Sequence, residues 1–293
     1  MDAGPARAHW APAASGSQRR LGGFLATLDI DAAAARQQAD AFERLRSGAL
    51  QAIVVHDVYS AGQMQEAVVR LQRHDPPFLE TWFPPAFRAR FYGRNINLAA
   101  PEMAGYFDEA ERFNSQLQRL MAPGTELPAR VASLLSALDR GRPHLAAPGA
   151  QAGQHYMFTT LREHAEQGYI AAHFDNEMRL RPSYRHLAGL VDEHIVSFVL
   201  AFSRADSGGA LEVFDLRCEP QRATLLSDDA VRDKPALDEL PSVSFRLPPG
   251  SLIVLDSGRY LHRVTRVGGT RTRWTACSFM ARRRGSEDML YWG

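Results

Sequence analysis

Gly168-Tyr169-Ile170-Ala171-Ala172-His173-Phe174-Asp175 is the stretch on which the reading of this chain turns. A short apolar run ends in an imidazole and a carboxylate two residues apart. In extended backbone, residues i and i+2 point to the same face, so His173 and Asp175 at a strand end can bind one metal ion together. A third donor stands far downstream: His262 follows the turn Pro248-Pro249-Gly250 and the run Leu252-Ile253-Val254-Leu255, and opens His262-Arg263-Val264. Two imidazoles and one carboxylate on one face of a divalent ion leave three coordination positions open to other ligands. A His-x-acid pair alone is cheap in a chain with 10 histidines, and His164-Ala165-Glu166 is a second one. It lies in the polar stretch 162–167, which reads as a loop tip, and it has no distal partner.

Outward from this motif, the second half of the chain consists of short β-type runs at residues 155–161, 168–172, 195–202, 210–214, 243–247, 252–255 and 273–280. Ser207-Gly208-Gly209, Pro248-Pro249-Gly250 and Gly268-Gly269 separate several of them, as hairpin turns do. Many short strands with turn punctuation predict a β-sandwich or jelly roll, in which positions far apart in sequence can meet. Residues 216–242 read as an insertion loop.

The first half reads differently. Residues 31–50 are rich in helix formers and 51–55 form a β-branched strand. Ser60 is placed to cap a helix reaching residue 73, with Met64, Ala67, Val68 and Leu71 at helical spacing. Residues 103–121 and 127–138 read as amphipathic helices. Residues 76–101 carry aromatics and prolines without a period, and 142–153 read as a linker. The expected organisation is α+β. A disordered leader covers residues 1–23, and a single domain spans 24–293. Within it, 24–150 is mainly helical support and cap, and 151–281 is the jelly-roll core.

Bulk composition excludes several classes. A chain of 293 residues with 45% hydrophobic content can bury a full core. A formal net charge of +1 provides no field to recruit nucleic acid or a membrane surface. The basic run Arg282-Arg283-Arg284 reads as a solvated face. Cys218 and Cys277 have no metal-type spacing and suggest no disulfide framework, so a reducing cytoplasm is the expected compartment. No apolar run reaches the length of a transmembrane helix.

Three ordered segments resemble the Fe(II)/2-oxoglutarate-dependent oxygenase superfamily with a prolyl-hydroxylase-like core. They are residues 168–175, the strand Gly208-Gly209-Ala210-Leu211-Glu212-Val213-Phe214-Asp215, and the run from Pro249-Gly250 through His262 and Gly268-Gly269 to Arg271 and Arg273. The resemblance spans roughly residues 150–281. It implies a double-stranded β-helix core buttressed and capped by helices that are mostly N-terminal. It implies Fe(II) held by His173, Asp175 and His262, with 2-oxoglutarate and O2 as co-substrates and ascorbate in support. The distal carboxylate of 2-oxoglutarate would fall to Arg273 or Arg271. They flank the family's usual spacing of about ten residues after the distal histidine, and alternation by two lets both face inward. Arg273, at the start of the final strand, is favoured. Tyr156, with Met157 and Phe158, is a candidate lining of the co-substrate pocket, and Arg179 and Arg181 are candidates for a substrate carboxylate.

Related halogenases replace the carboxylate ligand with a small residue. Asp175 therefore favours oxygen insertion over chlorination. The expected activity is hydroxylation of a small molecule, an amino acid or a natural-product intermediate, with release of succinate and CO2. A protein or peptidyl hydroxylase and a non-catalytic β-sandwich binding module are the competing readings. A homodimer is left open.

Overall fold

A computed structural model describes residues 6–81, 83–96, 99, 103, 105–176, 181–218 and 237–293. Two facing sheets form the jelly roll. The smaller, five-stranded sheet runs β1 (Arg7–His9), β13 (Ser242–Phe245), β12 (Leu211–Arg217), β15 (Tyr260–Val264) and β9 (Ile170–His173). The larger has 11 strands. Its main path is β2 (Ser17–Leu21), β3 (Leu25–Asp31), β4 (Ala52–His56), β14 (Leu252–Leu255), β10 (Val196–Ala201), β17 (Arg273–Arg282), β8 (Thr160–His164), β6 (Ala89–Tyr92) and β5 (Glu80–Thr81). Strand β18 (Met289–Trp292) pairs with the far end of β17 and with β7 (His144–Ala146). A two-stranded ribbon joins β11 (Ser207–Gly208) to β16 (Val267–Gly268).

Strand alternation divides the residues between two cores. Inward-facing Ala52, Val54, Ala201, Ile253 and Leu255 of the large sheet meet Leu211, Val213, Val243 and Phe245 of the small one. Their neighbours Ile53, Val55, Phe198, Leu200, Val254, Trp274 and Ala276 face the other way. They are covered by α1 (Ala41–Ser47), α2 (Ala61–Gln72), α3 (Tyr106–Gln118) and α4 (Leu127–Ala137), which bury Phe42, Met64, Phe113 and Leu135 there. Helix α5 (Arg185–Leu190) lies between β9 and β10 in the chain. Ser60 caps α2 as its position predicts: its Oγ accepts from the Gln63 backbone N–H at 3.2 Å, and the Gln63 side chain accepts from the Ser60 N–H at 3.0 Å. No helix among the described residues is long and apolar enough to cross a membrane.

Several expectations are corrected. Within the supposed disordered leader, residues 7–9 and 17–21 form β1 and β2, because β13 and β3 offer open edges whose backbone groups they satisfy. Residues 24–150 carry β3, β4, β5, β6 and β7 beside their helices. The single helix at 31–50 is a 3-10 helix, Ala32–Gln38, followed by α1, with Asp40 as the N-cap of the second piece. The strand expected at 155–161 is β8, which begins five residues later and ends three later, so 162–164 are strand and not loop tip. His262 follows β14 (Leu252–Leu255) as expected, and itself sits in a further strand, β15. The insertion is narrower than 216–242 at its N-terminal side, since β12 continues to Arg217. Residues 219–236 lie outside the described residues.

Candidate active site

Antiparallel pairing of β15 with β9 puts His262 directly opposite His173. The register shifts beside this pair, a bulge in the edge strand that re-aims the last residues of β9. The two imidazole rings face one another with centroids 4.4 Å apart. Nδ1 of His173 donates to the Ala171 carbonyl at 2.8 Å, and Nδ1 of His262 to the Tyr260 carbonyl at 3.0 Å. Carbonyls only accept, so each Nδ1 carries a proton, and Nε2 is the nitrogen each ring turns to the space between the sheets, free to bind a metal once deprotonated. The chain turns out of β9 where the Asp175 N–H bonds to the Ser257 carbonyl at 3.0 Å. That bond sets Asp175 Oδ1 3.4 Å from His173 Nε2 and 3.8 Å from His262 Nε2.

Asp175 is 1% exposed, and neither of its oxygens has a hydrogen-bond partner. Burial alone would push its carboxyl up. The positive charge that His262 and His173 carry when protonated outweighs burial and holds the carboxyl well below the usual carboxylate range. A buried anion without hydrogen bonds is costly unless a cation completes it. The donor atoms of His173, Asp175 and His262 all lie within 4.8 Å of one another, a unique grouping among the described residues. Cis ligands each about 2.1 Å from a six-coordinate ion stand about 3 Å apart, so closing on a divalent metal needs only small shifts. The donor set fits iron: two neutral imidazoles and one carboxylate on one side, with the opposite positions open.

The two candidate arginines separate. Arg273 opens β17 and is 8% exposed, on the inward face opposite His164 of β8. It has no carboxylate partner among the described residues; its side-chain hydrogen bond goes to Thr275 Oγ1 at 3.4 Å. Burial pulls its guanidinium down to about 10, and nearby Arg162 pushes the same way, yet it stays charged at neutral pH. Gly209 makes room for it: the backbone there has φ +59, and a Cβ would stand 3.0 Å from Arg273 Cδ. Arg271 lies in the turn before β17, its side chain 70% exposed and 3.5 Å from Asp206. Alternation by two cannot apply to a residue outside the strand, so the expectation that Arg271 also faces inward is corrected.

Tyr156 is placed elsewhere. It is buried on the helix-covered side, its hydroxyl 3.2 Å from His186 Nδ1 in α5 and its ring against Tyr106 and Phe107. The reason is the displaced strand: the residues of β8 that face inward are Thr160, Arg162 and His164. Arg181 is exposed at the entry to the 3-10 helix Pro182–Tyr184. Arg179 lies outside the described residues. Sequence reading missed Arg162 and His164, although two-residue alternation marks both once β8 is placed. His164 is fully buried with neither ring nitrogen hydrogen-bonded. Burial first, then Arg273 and Arg162, holds it well below the ordinary histidine value, so it is neutral.

A double-stranded β-helix with a His-Asp-His cluster between its sheets and a buried, acid-free arginine nearby defines an Fe(II)/2-oxoglutarate-dependent oxygenase. The model of the family described as "Carrier-protein-independent halogenase WelO5" matches residues 24–293, and the chain belongs to that family. Fe(II) and 2-oxoglutarate are the metal and co-substrate of the superfamily. Among solved structures, the chain is similar to an N-substituted L-amino acid dioxygenase from Burkholderia ambifaria, solved with and without alpha-KG. The identity is 18%, the alignment covers 87% of this chain and 91% of that one, and the TM-score is 0.57. A 2OG-Fe(II) oxygenase family oxidoreductase from Burkholderia pseudomallei aligns at 15% identity over 96% and 98% of the two chains, with a TM-score of 0.47. At such identities the likeness concerns the fold alone. No curated protein matches the sequence.

Proposed function

We propose that this protein oxidises an unactivated C–H bond of a small molecule, with hydroxylation as the outcome. His173, Asp175 and His262 would hold Fe(II), and Arg273 would pair with the distal carboxylate of 2-oxoglutarate. Iron bound there, with 2-oxoglutarate and O2, supplies C–H oxidation coupled to formation of succinate and CO2. The protein's own groups provide the rest. The two Nδ1–H bonds fix both imidazoles in the tautomer that offers Nε2. The apolar walls around Val199, Ala201 and Leu211 keep the chamber near Arg273 poor in water, where a guanidinium–carboxylate pair is strongest.

The observation that carries the outcome is Asp175. The family's description names halogenation, which favours a second reading in which a halide joins the metal. A carboxylate at the third ligand position fills the place a halide would need, and it is already aimed between the two imidazoles. The test is product mass. Reconstituted protein, given Fe(II), 2-oxoglutarate, O2 and excess chloride with a metabolite panel, should yield a product 16 Da heavier than its substrate. A product carrying chlorine from the unaltered protein would establish the halogenase reading instead.

A further inference from the structure

We infer that the substrate is an anion: a small carboxylic acid with an aromatic or apolar body, its carboxylate held by Arg162. The inference rests on the co-substrate reading above and extends it to the substrate class.

Arg162 sits on the inward face of β8, opposite Thr275 and two residues from His164. Its Nε donates to Thr160 Oγ1 at 3.0 Å, while its Nη2 is buried and has no hydrogen-bond partner. No carboxylate among the described residues pairs with it; the nearby acid, Glu163, faces the opposite side of the strand and binds Arg90. The guanidinium lies over the Phe91 ring at 5.1 Å and near the Phe279 ring at 6.0 Å. Aromatic contacts cover the faces of the guanidinium and leave its edge, where a carboxylate docks bidentately, free.

An aromatic arc connects this arginine to the metal-bearing strand. Phe91 stacks on Phe83 at 4.2 Å, Phe83 meets Phe87 at 5.2 Å, and Phe87 meets Tyr169 at 5.2 Å. Tyr169 immediately precedes β9, the strand that ends in His173. A body lying along that arc with its acid on Arg162 runs from the large sheet to the start of β9 in the small one.

Charge points the same way. Apart from the solvent-exposed Arg204 and Arg246, Arg162, Arg273 and a divalent ion bring four positive charges to the inward face around the metal site. Asp175 and the two carboxylates of 2-oxoglutarate bring three negative ones. Neutral His164 adds none. The remaining positive charge resides on Arg162, which is partly buried with its Nη2 shut off from water, and charge withdrawn from water without a counter-charge is expensive. One carboxylate balances it; a phosphate dianion would overshoot.

The test is a binding measurement on protein loaded anaerobically with Fe(II) and 2-oxoglutarate. 3-Phenylpropionate, indole-3-acetate and N-acetyl-L-phenylalanine are each titrated calorimetrically against the corresponding primary amide. At least one acid should bind ten-fold or more tightly than its amide. Arg162→Gln should erase that preference while 2-oxoglutarate affinity stays within two-fold. Arg162→Lys, which keeps the charge without the fork, should retain part of the preference, a graded result that a folding defect would not give. The inference is overturned if no acid binds more tightly than its amide. It is overturned equally if Arg162→Gln weakens 2-oxoglutarate ten-fold, which would assign Arg162 to the co-substrate. Failure of the underlying reading shows elsewhere, as unchanged 2-oxoglutarate affinity in Arg273→Leu.

Discussion

Replacing Arg273 by leucine separates the co-substrate site from everything else in the fold. The guanidinium is 8% exposed and faces no acid among the described residues. Its loss therefore leaves no protein carboxylate stranded, and the affected partner is the incoming one. Removing one member of a buried, hydrogen-bonded charge pair costs about 2–5 kcal/mol. A value near 3 kcal/mol corresponds to roughly a 150-fold loss of 2-oxoglutarate affinity. Arg271, 70% exposed and 3.5 Å from Asp206, is the internal control. Exposed pairs are worth about 0–1 kcal/mol, so Arg271→Leu should change affinity by less than about five-fold.

The assay is anaerobic titration of the Fe(II) protein with 2-oxoglutarate, run beside thermal unfolding. At 100 times its dissociation constant, the co-substrate should stabilise the unaltered protein by about 2.7 kcal/mol. At that same concentration Arg273→Leu, bound about 150-fold more weakly, should gain only about 0.3 kcal/mol. Without ligand the variant should be at least as stable as the parent, because an unpaired buried charge has been replaced by apolar volume. Affinity within three-fold of the parent, or a larger loss in Arg271→Leu, would refute the assignment of Arg273.

Other outcomes test the scaffold. Asp139 joins α4 to α1 and β7 through Arg46 at 2.8 Å, Arg142 at 3.2 Å and His144 at 3.4 Å. Burial raises its carboxyl, but His144 and Arg46 more than reverse this and hold it below the usual 3.8. The unfolded chain therefore takes up the proton first as pH falls, so this stabilisation is complete above about pH 5 and drains away from about pH 4 downward. Asp139→Asn should cost about 2 kcal/mol at neutral pH, less than a fully buried pair because Arg46 and Arg142 reach solvent, and should flatten the acid limb of a denaturation series. Gly209→Val, at φ +59 and against Arg273 Cδ, should destabilise by about 1–3 kcal/mol and weaken 2-oxoglutarate along with it, measured in the same titration. Ser60→Ala removes the α2 capping box and should cost about 1 kcal/mol in chemical denaturation, with no change in co-substrate affinity.

The sequence made the metal site legible because its geometry is local. His173 and Asp175 are two residues apart and His262 follows a turn and a β-branched run, so all three were visible, although Asp175 is placed by the turn out of β9 and its bond to Ser257 and not by strand alternation. Helices α2 and α4 were legible for the same kind of reason, in capping and period. What escaped is where a local rule met a tertiary exception. Strand β8 carries Arg162, Glu163 and His164, a polar run that resembles a loop. Its inner face lies beside Arg273 and Thr275 of β17, and Glu163 is neutralised by Arg90 on the other side. Strands β1 and β2 lie in Ala-, Gly- and Pro-rich sequence and exist only because the edges of β13 and β3 complete them. Tyr156 was misassigned through the same displaced strand, since moving a strand start re-sorts every side chain between the two cores.

The most direct test of the central claim is iron content and its dependence on the three donors. After anaerobic reconstitution and removal of excess metal, the unaltered chain should hold one Fe(II), and addition of 2-oxoglutarate should produce a visible charge-transfer absorption. His173→Ala and His262→Ala, folded by circular dichroism, should lose both the iron and the band. Iron bound equally well by these variants, or no iron bound by the parent chain, would contradict the assignment of His173, Asp175 and His262 as one metal centre.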